Sequence, residues 1–510
     1  MAGQLIEVMD TTLRDGEQTP NVAYSPSEKF QLAQLLLREV GVDRIEVASA
    51  RVSEGEAEAV ALIGRWARKA RLTERVEILG FVDGELSVDW ILANGGGAIN
   101  LLTKGSREHC EKQLCLTPER HFKAIGETVR YARRRGLVVN VYLEDWSSGV
   151  RDSFDYVFAH VQNLAELEVR RVYLPDTLGI LSPEGTERYL SLMTHTWPEL
   201  HFEFHGHNDY GLAVANCLAA TRSGARGLHT SVNGMGERAG NTCLAEVVAA
   251  IHDMSDQRTA VKENKLASVS DMVATFSGKT LSDNSPVVGR DVFTQTAGIH
   301  ADGDSKGDLY HNKLAPRRFG QRRRYALGKL SGKASIDQNL KAIGIKLGSR
   351  NRDLLLKRVV ELGDRKHTVT AEDLPLIIAD VLKTPEEEIA RIEDYEILST
   401  STGAPSARLA LRFRGKTVTS EAKGDGGYDA FMKALAKAAR RFDFKLPALV
   451  DYKVRIPPGG KTGALVETVV TWRKSARSVP FTTRAVDPDQ TAAAVLATEK
   501  MLNLLVSQSV

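Results

Sequence analysis

The chain has 510 residues, of which 42% are hydrophobic and 26% charged, and its formal net charge is only +3. That length implies roughly two to four domains, each able to bury a core of its own. The composition excludes a disordered chain, a collagen-like fibre and a coiled-coil rod, and the near-neutral balance speaks against a nucleic-acid partner, which calls for a broad basic face.

Short β-branched or apolar runs predict strands over 5–9, 44–48, 76–81, 99–103, 138–143, 171–174, 201–205 and 227–232. Stretches with helical spacing predict helices over 27–40, 55–70, 118–135, 153–167 and 183–196. Strands alternating with helices make parallel β-α-β units, and eight of them in about 250 residues match a (β/α)8 TIM barrel. A doubly wound open sheet is the alternative, but no G-x-G-x-x-G follows the first strand.

Beyond about residue 255 this rhythm breaks. Residues 276–324 are rich in Gly, Asp, Lys and Arg without sustained periodicity, and 335–379 read as helical through Ile336, Leu340, Ile343, Leu354, Val359 and Leu362. Pro385, followed by Glu386, Glu387 and Glu388, opens a connecting helix or linker. Further on, Asp394-Tyr395-Glu396-Ile397 returns as Asp451-Tyr452-Lys453-Val454, and 420–435 returns as 482–497. Each copy reads as three strands and a helix, a unit that needs its copy to cover the second face of its core. The expected organisation is a barrel over 1–260, a linker subdomain over 261–325, a helical subdomain over 326–388 and an α+β domain over 389–510.

The strongest chemical signal is Phe202-Glu203-Phe204-His205-Gly206-His207-Asn208-Asp209. On a strand, residues i and i+2 share a face, so His205 and His207 point together at the C-terminal end of the seventh strand, where barrel enzymes keep their sites. Two imidazoles joined by a carboxylate hold a divalent metal and leave positions open for substrate; the alternative for the pair alone is simple hydrogen bonding. A carboxylate candidate is Asp15 in Asp10-Thr11-Thr12-Leu13-Arg14-Asp15-Gly16-Glu17-Gln18, because only strand eight separates strand one from strand seven in a closed barrel. An Asp-Gly pair is also a common turn. Arg14 beside it offers planar donors to a carboxylate or oxyanion.

Asn241, in the glycine-rich loop 233–242 after strand eight, could orient the metal site or a ligand, and Glu46, Glu144 and Thr177 stand at the same rim. The basic run 317–324 is short, which suits a solvated surface or a phosphate-bearing cofactor contact. The four cysteines, Cys110, Cys115, Cys217 and Cys243, form no C-x-x-C pair and suit a reducing compartment. No basic-then-apolar start and no apolar run of about 20 residues is present, so a soluble cytoplasmic protein with no membrane partner is expected.

Taken together, segments 10–18, 205–209, 234–241, 294–302 and the duplicated C-terminal domain resemble, in order, the acyl-CoA-condensing metalloenzymes that include the 2-isopropylmalate, homocitrate and citramalate synthases. The resemblance implies a homodimer in which subdomain residues complete the partner's active site, and a C-terminal regulatory domain that binds an end-product amino acid. It implies Asp15, His205 and His207 as ligands of a divalent metal (Zn, Mn, Mg or Co), with Asn241 close by. It further implies acetyl-CoA as co-substrate, Arg14 supporting the alkoxide, a Glu144–His300 proton relay, and Tyr310 as a further subdomain participant. Thr177 joins the substrate-binding set.

The oxo-acid side chain is expected to face Leu79, Leu102 and Tyr142. Segments 79–83, 101–106 and 141–147 resemble the citramalate synthases of the family, where a methyl-sized pocket takes pyruvate and rejects larger groups by steric overlap. The nearest alternative is a 2-isopropylmalate synthase; more distant ones are a metal-dependent acyl-CoA lyase or aldolase, and a non-enzymatic amino-acid sensor. Citramalate formation begins a threonine-independent route to isoleucine, so isoleucine is the expected inhibitor, held by Tyr428, Asp429, Tyr452, Ile456, Pro488 and Gln490. Alternatively, most of those six are core or turn residues of the repeat.

Overall fold

The structure, a computed structural model, describes residues 4–307, 309–364, 369–382, 390–443, 445–455, 466–475, 478 and 480–507. The expectations at Pro385, Glu386, Glu387, Glu388 and Ile456 lie outside the described residues. Two compact units are distinguished: Met1–Phe293 with Asn312–Arg322, and Thr294–His311 with Arg323–Val510. The stretch 261–325 is therefore shared between them.

In the first unit, eight parallel strands close into a barrel in chain order. They are β1 (Glu7–Asp10), β2 (Arg44–Ser49), β3 (Val76–Phe81), β4 (Ala98–Lys104), β5 (Val138–Glu144), β6 (Arg171–Asp176), β7 (Phe202–Gly206) and β8 (Gly227–Thr230). Ladders from β1 to both β2 and β8 complete the circle. This is the expected TIM barrel, and the open-sheet alternative falls away.

The helices start where local chemistry tells them to. Ser25-Pro26, Thr117-Pro118 and Ser182-Pro183 each place a hydroxyl at the N-cap and a proline in the first turn. The hydroxyl takes one of the orphan N–H groups of that turn, and the proline costs no hydrogen bond there. Some helices have little sequence signal. Leu86–Ala93 spans only eight residues, too few for amphipathic spacing to declare itself. Leu266–Ser277 lies where the periodicity was expected to have ended.

The two faces of the barrel sheet differ sharply. Outward residues such as Ile45, Ile78, Ile99, Val141, Leu174, Phe204 and Leu228 pack under the helices in one apolar core. Inward residues are largely polar yet equally buried: Arg44, Glu46, Glu77, Asn100, Asn140, Arg171, Glu203 and His229. Most of their polar atoms pair within the barrel. Arg44 donates to Glu77 at 2.9 Å and to Glu203 at 2.6 Å, while Arg171 reaches Glu7 at 2.8 Å and Glu203 at 3.0 Å. A buried charge without such partners would cost several kcal/mol.

The second unit carries two three-stranded antiparallel sheets: β9 (Arg391–Leu398), β10 (Ser406–Phe413) and β11 (Lys416–Lys423), then β12 (Ala448–Arg455), β13 (Val466–Arg473) and β14 (Phe481–Asp487). Helices Gly427–Arg440 and Gln490–Ser507 follow the respective sheets, so each repeat has the expected three strands and a helix. Alternation buries Leu409, Leu411 and Phe413 on β10, and Val470 and Trp472 on β13, in one core drawn from both copies. Helices Lys333–Ile343, Ser349–Asp364 and Leu374–Leu382 build a separate small core around Ile336, Leu340 and Val359.

Candidate active site at the barrel mouth

At the C-terminal end of β7, His205 and His207 come together with Asp15 from the turn after β1. One ligand atom from each lies within 4.8 Å of the others, and all three residues are buried. Asp15 Oδ2 is 3.2 Å from His205 Nε2. Burial works to raise the Asp15 carboxyl, but Arg14, His205 and His207 outweigh it and hold it well below the usual carboxylate range. Burial pushes His207 down to about 4, so its imidazole is neutral and its lone pair free to coordinate.

Among the described residues, the buried polar atoms at this mouth without a hydrogen-bond partner include Nδ1 of His205, Nδ1 of His207 and Oδ1 of Asn241. Buried polar groups are ordinarily satisfied. Orphaned acceptors beside a carboxylate make a nitrogen-and-oxygen donor set that fits a divalent cation.

Asn241 is presented by the loop after β8, whose backbone bridges to His207. Asn241 Nδ2 donates to the Met235 carbonyl at 2.9 Å, which fixes the amide and leaves Oδ1 over. The loop demands glycine. Gly240 has φ +86°, and a Cβ there would sit 1.8 Å from the Gly234 carbonyl oxygen. Arg238 then ties this loop to its neighbours, pairing with Asp209 at 2.8 Å and donating to the Thr177 carbonyl at 2.7 Å.

Arg14 is held in plane by Glu46, whose Oε2 takes Nε at 2.5 Å; Glu46 Oε1 in turn accepts from Asn100 at 2.7 Å. Another Arg14 nitrogen lies 3.4 Å from the Tyr142 hydroxyl. Beside this guanidinium, Met9, Leu79, Tyr142 and Tyr173 form a small buried cluster with Leu102 packed against it. All three expected side-chain contacts of the oxo acid thus share one patch within the barrel.

Glu144 closes β5 and pairs with Lys104, its register partner on β4. The next residue, Asp145, has the left-handed φ of +63°, unusual for a non-glycine, and its N–H donates to Thr177 Oγ1 at 2.9 Å. The Thr177 hydroxyl therefore braces the turn that carries Glu144. In the second unit, His300 stacks on Tyr310 with centroids 4.2 Å apart, and its Nδ1 donates to Gln295 Oε1 at 3.2 Å.

Among the expected effector residues, Tyr428 and Tyr452 meet across the two repeats with ring centroids 4.9 Å apart, and Gln490 hydrogen-bonds Tyr452. The Tyr428 hydroxyl is taken up by Thr498 at 2.7 Å. Asp429 pairs with Lys433 at 2.7 Å, and Pro488 is exposed at the turn before the last helix.

Sequence reasoning passed over Lys104 and His229. Lys104 could have been found by setting the ends of adjacent strands side by side. His229 lies on the inward face of β8, where an unbroken strand alternation would have exposed it.

A closed parallel barrel with two histidines and an aspartate at its C-terminal mouth defines a metal-dependent barrel enzyme. The chain belongs to the HMGL-like family, whose model matches residues 5–273; the homocitrate synthase post-HMGL domain-like model follows over 287–367 and the LeuA allosteric (dimerisation) domain over 368–506. It is 33% identical to the (R)-citramalate synthase CimA of Methanocaldococcus jannaschii, over 99% of this chain and 100% of that one. It is 31% identical to the 2-isopropylmalate synthase of the same organism, over 99% of this chain and 95% of that one. Among solved structures, hydroxymethylglutaryl-CoA lyase from Pseudomonas aeruginosa aligns with TM-score 0.49 and 20% identity, over 56% of this chain and 97% of that chain. This domain set and these relatives place the protein among the transferases of the 2-isopropylmalate and homocitrate synthase kind. Among the described residues, no helix is long and apolar enough to cross a membrane.

Proposed function

We propose that the protein condenses acetyl-CoA with pyruvate and hydrolyses the resulting thioester, releasing (R)-citramalate and CoA. The observation that carries this reading is the apolar patch of Leu79, Leu102 and Tyr142 beside Arg14, which suits a methyl group. Relatives named for citramalate and for 2-isopropylmalate stand almost level in identity, so the pocket weighs more than the names.

Asp15, His205 and His207, with Asn241 beside them, would hold a divalent ion (Zn, Mn, Mg or Co), which when bound supplies Lewis acidity toward the keto oxygen. Arg14, held flat by Glu46, orients the acid and stabilises negative charge developing on that oxygen. Glu144 and His300 move the proton off the acetyl methyl group, with Tyr310 assisting. The methyl carbon then bonds to the keto carbon, the former keto oxygen stays on that carbon and takes up a proton to become the tertiary hydroxyl, and water cleaves the thioester to carboxylate and thiol. Thr177 steadies the Glu144 turn.

The domain roles follow the same reading: barrel 1–260, linker subdomains 261–325 and 326–388, regulatory domain 389–510. We assign isoleucine to the regulatory domain as feedback inhibitor of a threonine-independent isoleucine route, near Tyr428, Tyr452 and Gln490. A homodimer with subdomain exchange belongs to the proposal, supported by the LeuA-type domain. The four free cysteines suit the cytoplasm. Deleting the residues after about 390 should abolish isoleucine inhibition; inhibition that survived would place the effector elsewhere.

The deciding experiment follows thiol release from acetyl-CoA with added divalent metal, comparing pyruvate, 2-oxobutyrate and 2-oxoisovalerate. Strong preference for pyruvate is the expected result. Preference for 2-oxoisovalerate would make the enzyme a 2-isopropylmalate synthase, and absence of metal dependence would revive the sensor reading.

A further inference from the structure

His229 is fully buried on β8 and belongs to no ligand set, yet both of its ring nitrogens are engaged. Its Nε2 lies 3.1 Å from Glu203 Oε2, and its Nδ1 lies 3.0 Å from the Tyr142 hydroxyl. We infer that His229 is a specificity-determining positioning residue: backed by Glu203, it anchors the Tyr142 hydroxyl and so fixes the ring that bounds the oxo-acid pocket. This deepens the proposed function and rests on it for the identity of the pocket.

The geometry dictates the order of the protons. Glu203 faces Arg44 at 2.6 Å, Arg171 at 3.0 Å and His201 at 3.0 Å, so it is an ionised, accept-only carboxylate. His229 must therefore carry its hydrogen on Nε2, which leaves Nδ1 as a bare acceptor. The Tyr142 O–H has to donate into it, and its remaining lone pairs face Arg14 at 3.4 Å. The chain Arg14→Tyr142→His229→Glu203 thus runs one way, from the pocket to the charged floor of the barrel.

Ring packing makes the anchor directional. Tyr142 meets Tyr173 at 4.7 Å and 68°, and His229 at 5.4 Å and 82°, both edge to face. A tyrosine side chain has two torsions; those edges and the tethered hydroxyl leave it no second setting. Its register partner is Leu102 on β4, so the two walls of the pocket stand side by side. Free the hydroxyl, and the ring can tilt by enough to admit another methylene. His229 itself touches no substrate, because both nitrogens are occupied within the barrel.

The test uses the full-length enzyme with divalent metal, reading kcat/KM for pyruvate over 2-oxobutyrate. One methylene in an apolar pocket is worth about 10- to 200-fold. His229→Phe, which keeps a ring but removes the acceptor, should lower the pyruvate preference about tenfold, mostly through KM, with kcat changed little. His229→Gln retains an acceptor and should keep most of the preference. Tyr142→Phe cuts the same bond from its other end, so it should reproduce the shift, and the double variant should be no worse than either single one. An unchanged ratio in His229→Phe overturns the inference. Should that variant fail to fold, an unchanged ratio in Tyr142→Phe overturns it equally. Wild-type enzyme preferring 2-oxoisovalerate would instead defeat the proposed function, and the inference would then be judged on the ratio between that acid and 2-oxobutyrate.

Discussion

The outer and inner faces of the barrel sheet are buried to the same extent by opposite means. Outside, Ile45, Ile78, Ile99, Leu101 and Val172 lie under helices and are held by apolar contact. Inside, Arg44, Glu77, Arg171 and Glu203 are held by ion pairs with one another and with Glu7, His201 and His229. Apolar burial is forgiving, since a lost methylene costs only its own contacts and a small cavity. The inner network is not forgiving, since each charge depends on the next. The outer face therefore stabilises the barrel, while the inner face fixes the orientation of side chains at the mouth.

Substitutions can separate the two roles. The largest effect should come at the mouth itself. Asp15→Asn or His207→Ala should cost on the order of a thousandfold in thiol release, corresponding to several kcal/mol of barrier. The metal-free melting temperature should stay nearly constant, and a variant that lost its fold together with its activity would merge the two faces into one. Next comes Arg44→Met, which leaves buried Glu77 without its cation and takes one of two arginines from Glu203, and should cost about 3–5 kcal/mol in denaturant unfolding. Adding Glu77→Gln should recover part of that loss; no recovery would show that the ion pairs are not coupled. On the outer face, Leu101→Ala should cost about 3 kcal/mol while leaving metal affinity and oxo-acid preference unchanged.

The last effect concerns acid and is graded with pH. His121 and His160 sit on the helical side, and burial pushes them down to about 4 and about 3 respectively. Below the ordinary histidine value the unfolded chain takes up protons that the folded chain refuses. Stability should therefore fall as pH drops from about 6.5 toward about 4, by roughly 1.4 kcal/mol per pH unit for each group. Melting curves in that window read the slope, to which buried His207 and His229 contribute in the same direction, and replacing His160 with Gln should lower it by roughly 1.4 kcal/mol per pH unit. A flat profile would mean that water reaches the helical side.

That same contrast explains what the sequence could and could not reveal. β-α alternation announced the barrel, and His205-Gly206-His207 announced the candidate metal site, because both patterns are local. Runs such as Phe202-Glu203-Phe204-His205 alternate like a strand with one wet face. The polar members of such a run face a closed lumen, which only the closure of all eight strands makes clear. Glu203 and Arg44 therefore read as ordinary polar positions, and His229 drew no notice. Tyr142 was singled out by resemblance, but nothing near it in the chain declared its partner on β8. The short helix Leu86–Ala93 escaped for another reason: its fold is set by packing, not by periodicity.

The first strand of each C-terminal repeat breaks its ladder at the same place, between Ile392 and Asp394 on β9 and between Leu449 and Asp451 on β12. An inserted residue leaves the ladder locally unpaired and bends its strand, so the two repeats agree in backbone detail as well as in element order. Each βββα unit covers its apolar face by meeting its twin in one shared core. Because both copies lie in one chain, that meeting is an event within a single molecule, whose success does not depend on how much protein is present.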